Sequence, residues 1–595
     1  MDSTDLVLDK LATIGVRMSR RRLLKLASVS GLGVAGAAIL AACGGDDDDG
    51  DEPTQAAATQ PPGGAATQPP SSSATQPPAS NATEPPAAAT APAGQSEGQS
   101  GGTWSMAIIS NPTAYPITIP GALTDILVNK TIFNTLLRYD LDGDAIVVAP
   151  DLAESFEAND ELSEYTFKLR QDVTWHDGEP FDADDVVFTI NTILNPDVNA
   201  RFRSTLSAVE SIEKVDDYTV TFKLKFPYAP LPVMLGYNIA IVPQHLLEGQ
   251  DLNEPTDFIA NPIGTGPMKF KEYSSGSFLL TERNDDYFRG SAKLDGITYK
   301  IIPDVNTQVA QLQSGDLDFA VIEPAQVEVL ENSGNVAVVN APQVNYFFFA
   351  LNHNVPLFQD KLVRQAMSYA IDKQAIIEEI LQDTATIATG PISPLLAEYY
   401  NPDVPTYDYD PEKAAELLAE AGWVAGSDGI LEKDGEKLAF VLETDKGNPT
   451  REQTVTFGQQ QLQELGMDVT IEFYERNIHL ERYRPDKEYQ ALMEWWITPP
   501  DPDIFDHYHS TSTNNRWAYS NPDVDKLIED GRKEPDPDKR AEIYKELQAV
   551  IADDAPIIYL YYPQEIQAIS MRTKNFPFLG YRDALTHMEE VSIEE

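Results

Sequence analysis

Apolar side chains recur along the chain in two rhythms, one strand-like and one helix-like, from Thr103 to Glu595. Residues 165–170 alternate apolar and polar side chains, which predicts a half-buried strand. Asp177-Gly178 is typical of a turn, and the apolar residues at 181–190 have helical spacing, with Asp182 placed to cap the helix. Because such blocks follow one another throughout this stretch, the sequence predicts an α/β fold.

Two later segments predict amphipathic helices. Asp360 precedes apolar residues at helical spacing over 363–371 and is placed to cap that helix. A second helix is expected to open at Asp410 and to end at Gly422, because Pro411 suits a first helical position and glycine suits a helix end. Its expected apolar face consists of Ala415, Leu418 and Ala421.

The first 42 residues have the composition of a targeting segment. Arginines at positions 20–22 precede an apolar run at 26–42, which is too short and too rich in glycine to span a membrane as a stable helix. The arginine pair resembles a twin-arginine export signal, with Leu23 where phenylalanine is more common. The sequence therefore predicts a signal peptide over residues 1–42.

The chain contains one cysteine, Cys43, so no disulfide can form within it. Residues 40–43, Leu-Ala-Ala-Cys, close the apolar run and resemble a lipobox, in which cleavage leaves a diacylated cysteine as the new N-terminus. Two acyl chains are enough for stable membrane attachment, whereas one is marginal. We therefore expect Cys43 to be a lipid anchor.

Residues 44–102 have almost no aliphatic or aromatic side chains, and four short repeats in this segment end in Pro-Pro. Such a composition cannot build a core. Pro-Pro pairs favour polyproline II, which extends roughly 3 Å per residue. Residues 43–102 are therefore expected to form a lipidated, disordered tether.

The charge narrows the range of partners. The formal net charge is −51, and residues 1–42 carry six Lys/Arg against three Asp, so the mature chain would carry −54. Such a surface repels nucleic acid and anionic lipid headgroups, and it favours a soluble monomer. The charge itself carries no information about a ligand.

Several short blocks resemble, in order, the family 5 extracytoplasmic solute-binding proteins, which include oligopeptide-, dipeptide- and nickel-binding receptors of ABC importers. The resemblance extends over residues 103–567. The matching blocks are PDLAES at 150–155, WHDG at 175–178, GTGP at 264–267, RNDDY at 283–287, SGDLD at 314–318, RQA at 364–366, AID at 370–372, YDPEKA at 409–414 and NPDVD at 521–525. Their glycines, prolines and aspartates suit turns and helix caps, so the blocks indicate the fold rather than the ligand site.

The resemblance implies a periplasmic-binding-protein-like fold of two lobes joined by a two-strand hinge, with the ligand between the lobes. By that analogy the first lobe takes residues 103–149, 245–344 and 560–595, an inserted extra domain takes 150–244, and the second lobe takes 345–559. The hinge strands are expected at 345–352 and 557–562, which are apolar and rich in aromatic residues. Closure about the hinge would bury a ligand.

Segment 493–503 is the expected ligand wall, because Trp495 and Trp496 offer flat apolar surfaces beside polar groups. In the resemblance Trp495 matches a cleft tryptophan of peptide receptors, and Thr498 stands where those receptors place an aspartate for the peptide ammonium. A hydroxyl lacks that charge-assisted bond, a loss of about 1.5–3 kcal/mol, unless Asp501 or Asp503 takes over. Since neighbouring strand residues face opposite ways, only one tryptophan can line the cleft.

Further candidates come from the same resemblance. Leu123 and Thr124, in an expected loop at 120–125, match a ligand-contacting loop of the first lobe. Tyr346, Tyr559 and Tyr561 lie in or beside the expected hinge strands, where tyrosines of this family often reach the ligand. The alternative is that these tyrosines are core residues with satisfied hydroxyls.

A metal site is a weaker hypothesis. His507 and His509 are two residues apart, a spacing that would place both on one face of a strand, and the nickel-binding relatives make the idea worth stating. Ordinary surface histidines are the competing interpretation. No resident metal or cofactor is expected.

The resulting expectation is an extracytoplasmic, lipid-anchored substrate-binding protein of an ABC importer that captures a peptide-like or other oligomeric solute. The alternatives are a receptor of the same fold for oligosaccharides or metal chelates, or a receptor that reports ligand to a signalling partner. A secreted hydrolase is disfavoured, because 94 acidic residues create carboxylate pairs by chance. The chain also lacks the Gly-x-Ser-x-Gly, His-Glu-x-x-His and Gly-x-x-x-x-Gly-Lys motifs.

Overall fold

Strands form the frame of the fold, which a computed structural model describes for residues 101–118, 123–142, 145–483, 487–577 and 584–594. The strands before residue 345 are β1 (Thr103–Ile108), β2 (Leu137–Asp142), β3 (Ala145–Pro150), β4 (Ala153–Ala158), β5 (Glu164–Leu169), β6 (Val209–Asp216), β7 (Thr219–Leu224), β8 (Met268–Ser274), β9 (Phe278–Arg283), β10 (Gly296–Ile301), β11 (Phe319–Ile322) and β12 (Val336–Pro342). The later strands are β13 (Tyr346–Leu351), β14 (Ala385–Ile387), β15 (Val424–Ala425), β16 (Leu431–Lys433), β17 (Glu436–Lys437), β18 (Ala439–Asp445), β19 (Asp468–Tyr474), β20 (Ala491–Trp496), β21 (Ile557–Ser570), β22 (Thr573–Lys574) and β23 (Ser592–Ile593).

Helices connect and cover these strands. They are α1 (Leu123–Ile132), α2 (Ala183–Leu194), α3 (Leu231–Tyr237), α4 (Gln244–Leu247), α5 (Thr256–Ala260), α6 (Val305–Ser314), α7 (Val327–Glu331), α8 (Lys361–Ala370), α9 (Lys373–Ala375), α10 (Pro411–Glu420), α11 (Pro449–Glu464), α12 (Arg476–Tyr483), α13 (Phe505–Tyr508), α14 (Pro522–Lys533) and α15 (Pro537–Asp554). No helix within the described ranges is long and apolar enough to cross a membrane.

Local capping explains where three helices begin. Asp182 caps α2 in a capping box completed by Asp185, and Asp360 accepts a hydrogen bond from the Leu362 N–H at 3.0 Å at the start of α8. Asp410 caps α10 in the same way. The predicted strand at 165–170 is β5, so these local predictions are confirmed.

The predicted apolar face of α10 is partly wrong. Ala414, Leu417 and Leu418 are buried, whereas Ala415 points to solvent. The reason is that α10 packs against α8 through the row that begins one residue earlier, and the small, weakly apolar Ala415 can face water at little cost. Helix α10 ends at Glu420, and Gly422 follows with a positive φ of 89°.

A mixed sheet passes through both lobes. Its order is β19-β18-β20-β13-β21-β11-β1-β10-β9-β8, and β12 and β14 also pair with β21. Strands β18, β19 and β20 are parallel to one another, whereas β13 and β21 are antiparallel to their neighbours in the second lobe. The chain therefore has a mixed α/β, two-lobed architecture.

Strand β21 belongs to both lobes. Its first half pairs with β13 and β14, and its second half pairs with β11 and β12. Gln343, between β12 and β13, donates its N–H to the Pro563 carbonyl at 3.2 Å, so the two chain crossings lie side by side. The second hinge strand is longer than expected, because it continues to Ser570.

A separate four-stranded antiparallel sheet, β4-β5-β7-β6, packs against α2. Both elements fall between residues 150 and 244, where the extra domain was expected. The GTGP block at 264–267 lies outside this sheet, and its glycines do more than allow a turn. A Cβ at Gly264 or Gly266 would overlap the backbone of Ile132, so these glycines permit close approach of two chain segments.

Predictions for the first hundred residues lie outside the described part of the chain. These are the signal peptide over 1–42, the anchor Cys43 and nearly all of the tether. Gly101 and Gly102, the last two residues of the expected tether, are described. The Gly102 N–H donates to the Asp295 carboxylate at 2.6 Å, so the packed chain begins slightly earlier than predicted.

Candidate functional site

Trp495 and Trp496 are the last two residues of β20 and face opposite sides of the sheet. In the register with β13, Phe347 is directly opposite Trp495, and Tyr346 is directly opposite Trp496. The expectation that the two indoles cannot share one surface is therefore correct. Each side of the sheet has a different environment at this point.

On one side, Trp495 joins a row of aromatic rings. Its ring lies 5.9 Å from Phe347 in a stacked arrangement, and Phe347 stacks on Tyr561 at 4.8 Å. The guanidinium groups of Arg451 and Arg476 lie 4.4 Å and 4.5 Å from the centre of the indole. The half-buried Trp495 is thus an aromatic surface that already carries two cations.

Two buried carboxylates neutralise these arginines. Asp445, the last residue of β18, accepts from Arg451 at 2.7 Å, and Glu494 of β20 pairs with Arg476. Arg476 also lies 3.6 Å from Asp445. Because the two pairs share one location, the cluster holds no uncompensated charge, and each charge is partly desolvated.

His479 of α12 completes this group. Its side chain is fully buried, and neither ring nitrogen has a hydrogen-bond partner, although Nδ1 lies 3.5 Å from the Glu494 carboxylate. Burial, helped by the neighbouring arginines, lowers the pKa of His479 to about 4, so the ring is neutral at pH 7.

Other buried polar atoms here also lack hydrogen-bond partners. They are the Thr444 hydroxyl, one Asp445 carboxylate oxygen and the Arg451 Nε. Such atoms are uncommon in folded proteins, and a group of them at one place marks a position where water or a ligand can supply the missing hydrogen bonds. We call Thr444, Asp445, Arg451, Arg476, His479, Glu494 and Trp495 the tryptophan cluster.

The tryptophan cluster also has the spacing of a three-ligand metal site. The ligand atoms of Asp445, His479 and Glu494 lie within 4.8 Å of one another. The arginine pairs of both carboxylates argue against a resident cation, since a metal would have to displace Arg451 and Arg476. The arrangement is better suited to hydrogen bonding with a neutral or mixed-charge solute.

Thr498 and Asp501 have partners within the protein. The Thr498 hydroxyl donates to the Val344 carbonyl at 3.1 Å, next to the hinge. Asp501 forms a buried, bidentate pair with Arg540, at 2.7 Å and 3.1 Å. Neither residue offers an uncompensated anion, so Asp501 is unsuited to replace an ammonium-binding aspartate.

On the opposite side of the sheet, Trp496 lies in a packed aromatic layer. Its indole contacts His507 at 3.8 Å between ring centres and carries the Arg516 guanidinium at 4.1 Å. The buried Tyr346 hydroxyl bonds to His507 Nδ1 at 3.0 Å, and Tyr559 bonds to the Tyr508 hydroxyl. Tyr346 and Tyr559 thus have the satisfied hydroxyls of core tyrosines.

The expected geometry of the two histidines is wrong. His507 lies in the helical turn α13 and His509 caps its end, so they do not share a strand face. His507 packs under Trp496, whereas His509 stacks on Phe505 at 4.3 Å and bonds to Thr511. Burial lowers the pKa of His507 far below its ordinary value. The pair therefore has no common metal-binding position.

The expected first-lobe loop at 120–125 is partly helical. Helix α1 starts at Leu123, whose side chain lies outside the described part of the structure, as do residues 119–122. Thr124 is buried, and its hydroxyl accepts a hydrogen bond from Ser110 at 3.1 Å. Thr124 is thus directed into the protein rather than toward an open surface.

Sequence reasoning proposed Trp495 as a ligand-site residue but did not identify the charged members of the tryptophan cluster. A usable signal was present, because Asp445 ends one strand, Trp495 is the next-to-last residue of a second, and Asn448-Pro449 opens a helix directly after the first. Ligands of open α/β sheets bind outside the carboxyl ends of parallel strands. Arg476 and His479, from α12, join the group only through the tertiary fold.

Comparison with known proteins identifies the family. Residues 147–517 match the model of the bacterial extracellular solute-binding proteins, family 5. The chain belongs to this family. One family 5 relative, the oligopeptide-binding protein AppA of Bacillus subtilis, is 35% identical over 497 residues, which cover 82% of this chain and 90% of AppA.

Solved family 5 structures have the same architecture. A solved structure of B. subtilis AppA in complex with a nonapeptide matches with a TM-score of 0.71 and 32% identity, over 84% of this chain and all of that AppA chain. NikZ of Campylobacter jejuni, in complex with Ni(L-His), matches with a TM-score of 0.71 and 27% identity, over 82% of this chain and 99% of NikZ. These relatives are binding proteins of transporters and not enzymes. The chain is thus a substrate-binding protein of the ABC peptide importer family, whose members act outside the cytoplasm.

Proposed function

We propose that this chain is a lipid-anchored receptor that captures a peptide-like solute, or another oligomeric solute of similar size, and delivers it to an ABC importer. The observation that carries the proposal is the tryptophan cluster, in which an aromatic surface lies beside several buried polar atoms without hydrogen-bond partners. Peptide bonds supply both donors and acceptors, so a peptide backbone suits such a surface. The nonapeptide bound by AppA is a precedent for a ligand of this class.

The charges of the cluster bear on how a peptide is held. Asp445 and Glu494 are paired with arginines, and Thr498 bonds to the hinge backbone. In this proposal no carboxylate at these positions is reserved for the peptide ammonium. Stacking on Trp495 and its guanidinium groups, together with neutral hydrogen bonds, supplies most of the affinity.

A comparison of acetylated and free peptides tests this proposal. Matched di- to pentapeptides, with and without an N-terminal acetyl group, are titrated calorimetrically against the mature protein. We expect each pair to bind with affinities within about threefold, since an ammonium anchor would be worth about tenfold or more. Preference for the free peptide by tenfold would contradict our interpretation of Thr498, and no binding of any peptide would contradict the ligand class.

The role of Trp495 is tested with matched variants. Trp495→Ala is expected to weaken binding by at least about 1.5 kcal/mol, or about tenfold. Tyr273→Ala removes a ring from the edge strand β8 of the first lobe, where it is substantially exposed, and serves as the control. Normal binding by Trp495→Ala would show that the ligand binds elsewhere on the protein.

A metal chelate is the second candidate, favoured by one observation. His479 is neutral and buried, and its ring nitrogens have no hydrogen-bond partner, so it could ligate a metal that arrives already complexed. NikZ, which binds Ni(L-His), is a precedent. Titration with Ni(L-His) and with free Ni²⁺ distinguishes this candidate, because binding of the chelate that His479→Gln abolishes would support it over a peptide.

A further inference from the structure

A cavity with a volume of about 260 Å³ lies in the second lobe, away from the tryptophan cluster. It is enclosed by the segment after α8, the C-terminal end of α15, residues 405–409 and the strands β14 and β21. None of the residues of the tryptophan cluster lines it. The cavity is therefore distinct from the tryptophan cluster.

The cavity walls are mainly apolar. Ile371, Ala388, Ala552 and Ile557 line it, and all four are buried. Tyr559 contributes a fifth wall residue, and its hydroxyl is already bonded to Tyr508. A short aliphatic chain would replace water along these walls, at a gain of about 25 cal/mol per Å² of apolar surface covered.

One buried cation faces this apolar space. Lys373 is almost fully buried and lines the cavity. Its ammonium donates to the carbonyl oxygens of Tyr407, at 2.6 Å, and Ser368, at 3.3 Å. No carboxylate among the described residues lies within ion-pair distance of it, and burial lowers the pKa of Lys373 to about 8. An ammonium has three N–H groups, so one donor is available to an occupant.

Two carboxylates stand at the edge of the cavity. Asp372 accepts a hydrogen bond from the Ala375 N–H at 2.9 Å, and Asp408 is exposed to solvent. Water screens these charges more strongly than it screens the buried Lys373. They would nevertheless disfavour a second negative charge at the entrance.

We propose that this cavity is an accessory site for a small aliphatic monocarboxylate. The carboxylate would accept a charge-assisted hydrogen bond from Lys373, and the alkyl chain would lie against Ile371, Ala388, Ala552 and Ile557. The single negative charge neutralises the buried ammonium, and Asp372 and Asp408 select against dicarboxylates. This site goes beyond the proposed capture of peptides and does not depend on it.

Titration of the mature protein with hexanoate tests the proposal. Saturable binding is expected, with hexanamide and succinate at least about tenfold weaker, since the first lacks the charge and the second adds one. Trp495→Ala should bind hexanoate like the unaltered protein, which separates this site from the peptide site. Equal binding of hexanamide, or no hexanoate binding, would overturn the proposal.

Two variants assign hexanoate binding to the cavity. Lys373→Met keeps an apolar stem but removes the charge, and Ala552→Leu fills the space from α15 while leaving Lys373 unchanged. Each should weaken hexanoate binding at least about tenfold. If Lys373→Met does not fold, Ala552→Leu alone tests whether hexanoate binds in this cavity. Normal hexanoate binding by a folded Ala552→Leu protein would overturn the assignment to this cavity.

Discussion

At the residue scale, the pairing of charges separates the residues suited to ligand binding from those that hold the protein together. Arg451 and Arg476 contact the half-buried Trp495, and each pairs with a carboxylate. Cation–π contacts of this kind contribute about 0.5–2 kcal/mol, depending on how far water is excluded. Asp501, in contrast, forms a buried ion pair with Arg540 through both carboxylate oxygens.

The pair of Asp501 and Arg540 gives the first prediction. Asp501→Asn leaves a buried guanidinium without its anion, so we expect a loss of about 3–5 kcal/mol in the free energy of unfolding. Ligand affinity, measured well below the melting temperature, should change by less than about threefold. Denaturant unfolding and calorimetry measure the two effects.

The double variant Asp501→Asn/Arg540→Met is the control, because it removes the stranded cation and should recover part of the lost stability. A tenfold loss of affinity in a fully folded Asp501→Asn protein would instead make Asp501 a ligand contact.

His479 gives a second prediction, for the dependence of stability on pH. Its folded pKa of about 4 lies below the ordinary value of 6.5. As pH falls below 6.5, the unfolded chain takes up a proton that the folded protein does not, so stability present above pH 6.5 is lost toward pH 4. The total loss from this group is about 3 kcal/mol, at about 1.4 kcal/mol for each pH unit.

His479→Gln removes this contribution. Other titrating groups cancel when the two proteins are compared, so the unaltered protein should lose stability relative to His479→Gln as the pH is lowered from 7 to 5. Urea unfolding of ligand-free protein at several pH values measures the difference. Parallel stability curves for the two proteins would contradict the burial of His479 as a neutral ring.

Prediction at the residue scale succeeded where the information is local. Caps such as Asp182 and Asp360 act within four residues, so the sequence was sufficient to place them. The assignment of Trp495 to the ligand site, which rests on the aromatic pattern and the family resemblance, stays a prediction. Its partners Arg451 and Arg476 come from two other helices, and no local pattern brings them together.

At the element scale, the segment that follows the extra four-stranded sheet contacts the second lobe around Arg532. Arg532 of α14 lies 4.8 Å from the centre of the Tyr228 ring and forms an ion pair with Asp503 at 3.2 Å. Its carbonyl also accepts the Ala229 N–H at 2.8 Å. Tyr228 follows β7, so this contact joins two parts of the molecule that hinge motion would separate.

This contact gives a third prediction. Tyr228→Ala removes the ring beside Arg532 and the weak hydroxyl contact to Asp503, while the backbone bond at Ala229 remains. We expect a larger radius of gyration in the ligand-free protein and a several-fold weaker ligand affinity, because the closed form is less favoured. Small-angle scattering and calorimetry measure both.

Tyr218→Ala is the control for Tyr228→Ala, because Tyr218 lies in the turn between β6 and β7, outside the contact with Arg532. An unchanged radius of gyration and ligand affinity in Tyr228→Ala would show that this contact does not contribute to closure of the lobes.

The ends of strands and helices were harder to predict from the sequence than the type of each element. The hinge segment 557–562 was recognised as a buried strand, but β21 runs on to Ser570 because it pairs with β11 and β12 of the other lobe. The helical turn at His507 was missed because four residues carry too little periodicity. Helix α1 similarly replaced part of an expected loop.

At the scale of the whole molecule, anchoring at the membrane is the expectation that depends most on sequence alone. Cys43→Ala removes the only thiol, so it should release protein into the medium or leave uncleaved precursor. Fractionation of cells and mass spectrometry of the N-terminal peptide check this fourth prediction. Unchanged acylation and membrane association would contradict the assignment of Cys43.

The central claim is that the protein captures a small solute beside Trp495, and native mass spectrometry of protein purified from its own cells tests it most directly. The intact protein should carry an adduct with the mass of a short peptide or similar oligomer, released on denaturation and identified by fragmentation. Trp495→Ala should carry much less of it, whereas Tyr273→Ala should carry the same amount. Equal loading of all three proteins, or none in any, would contradict the account.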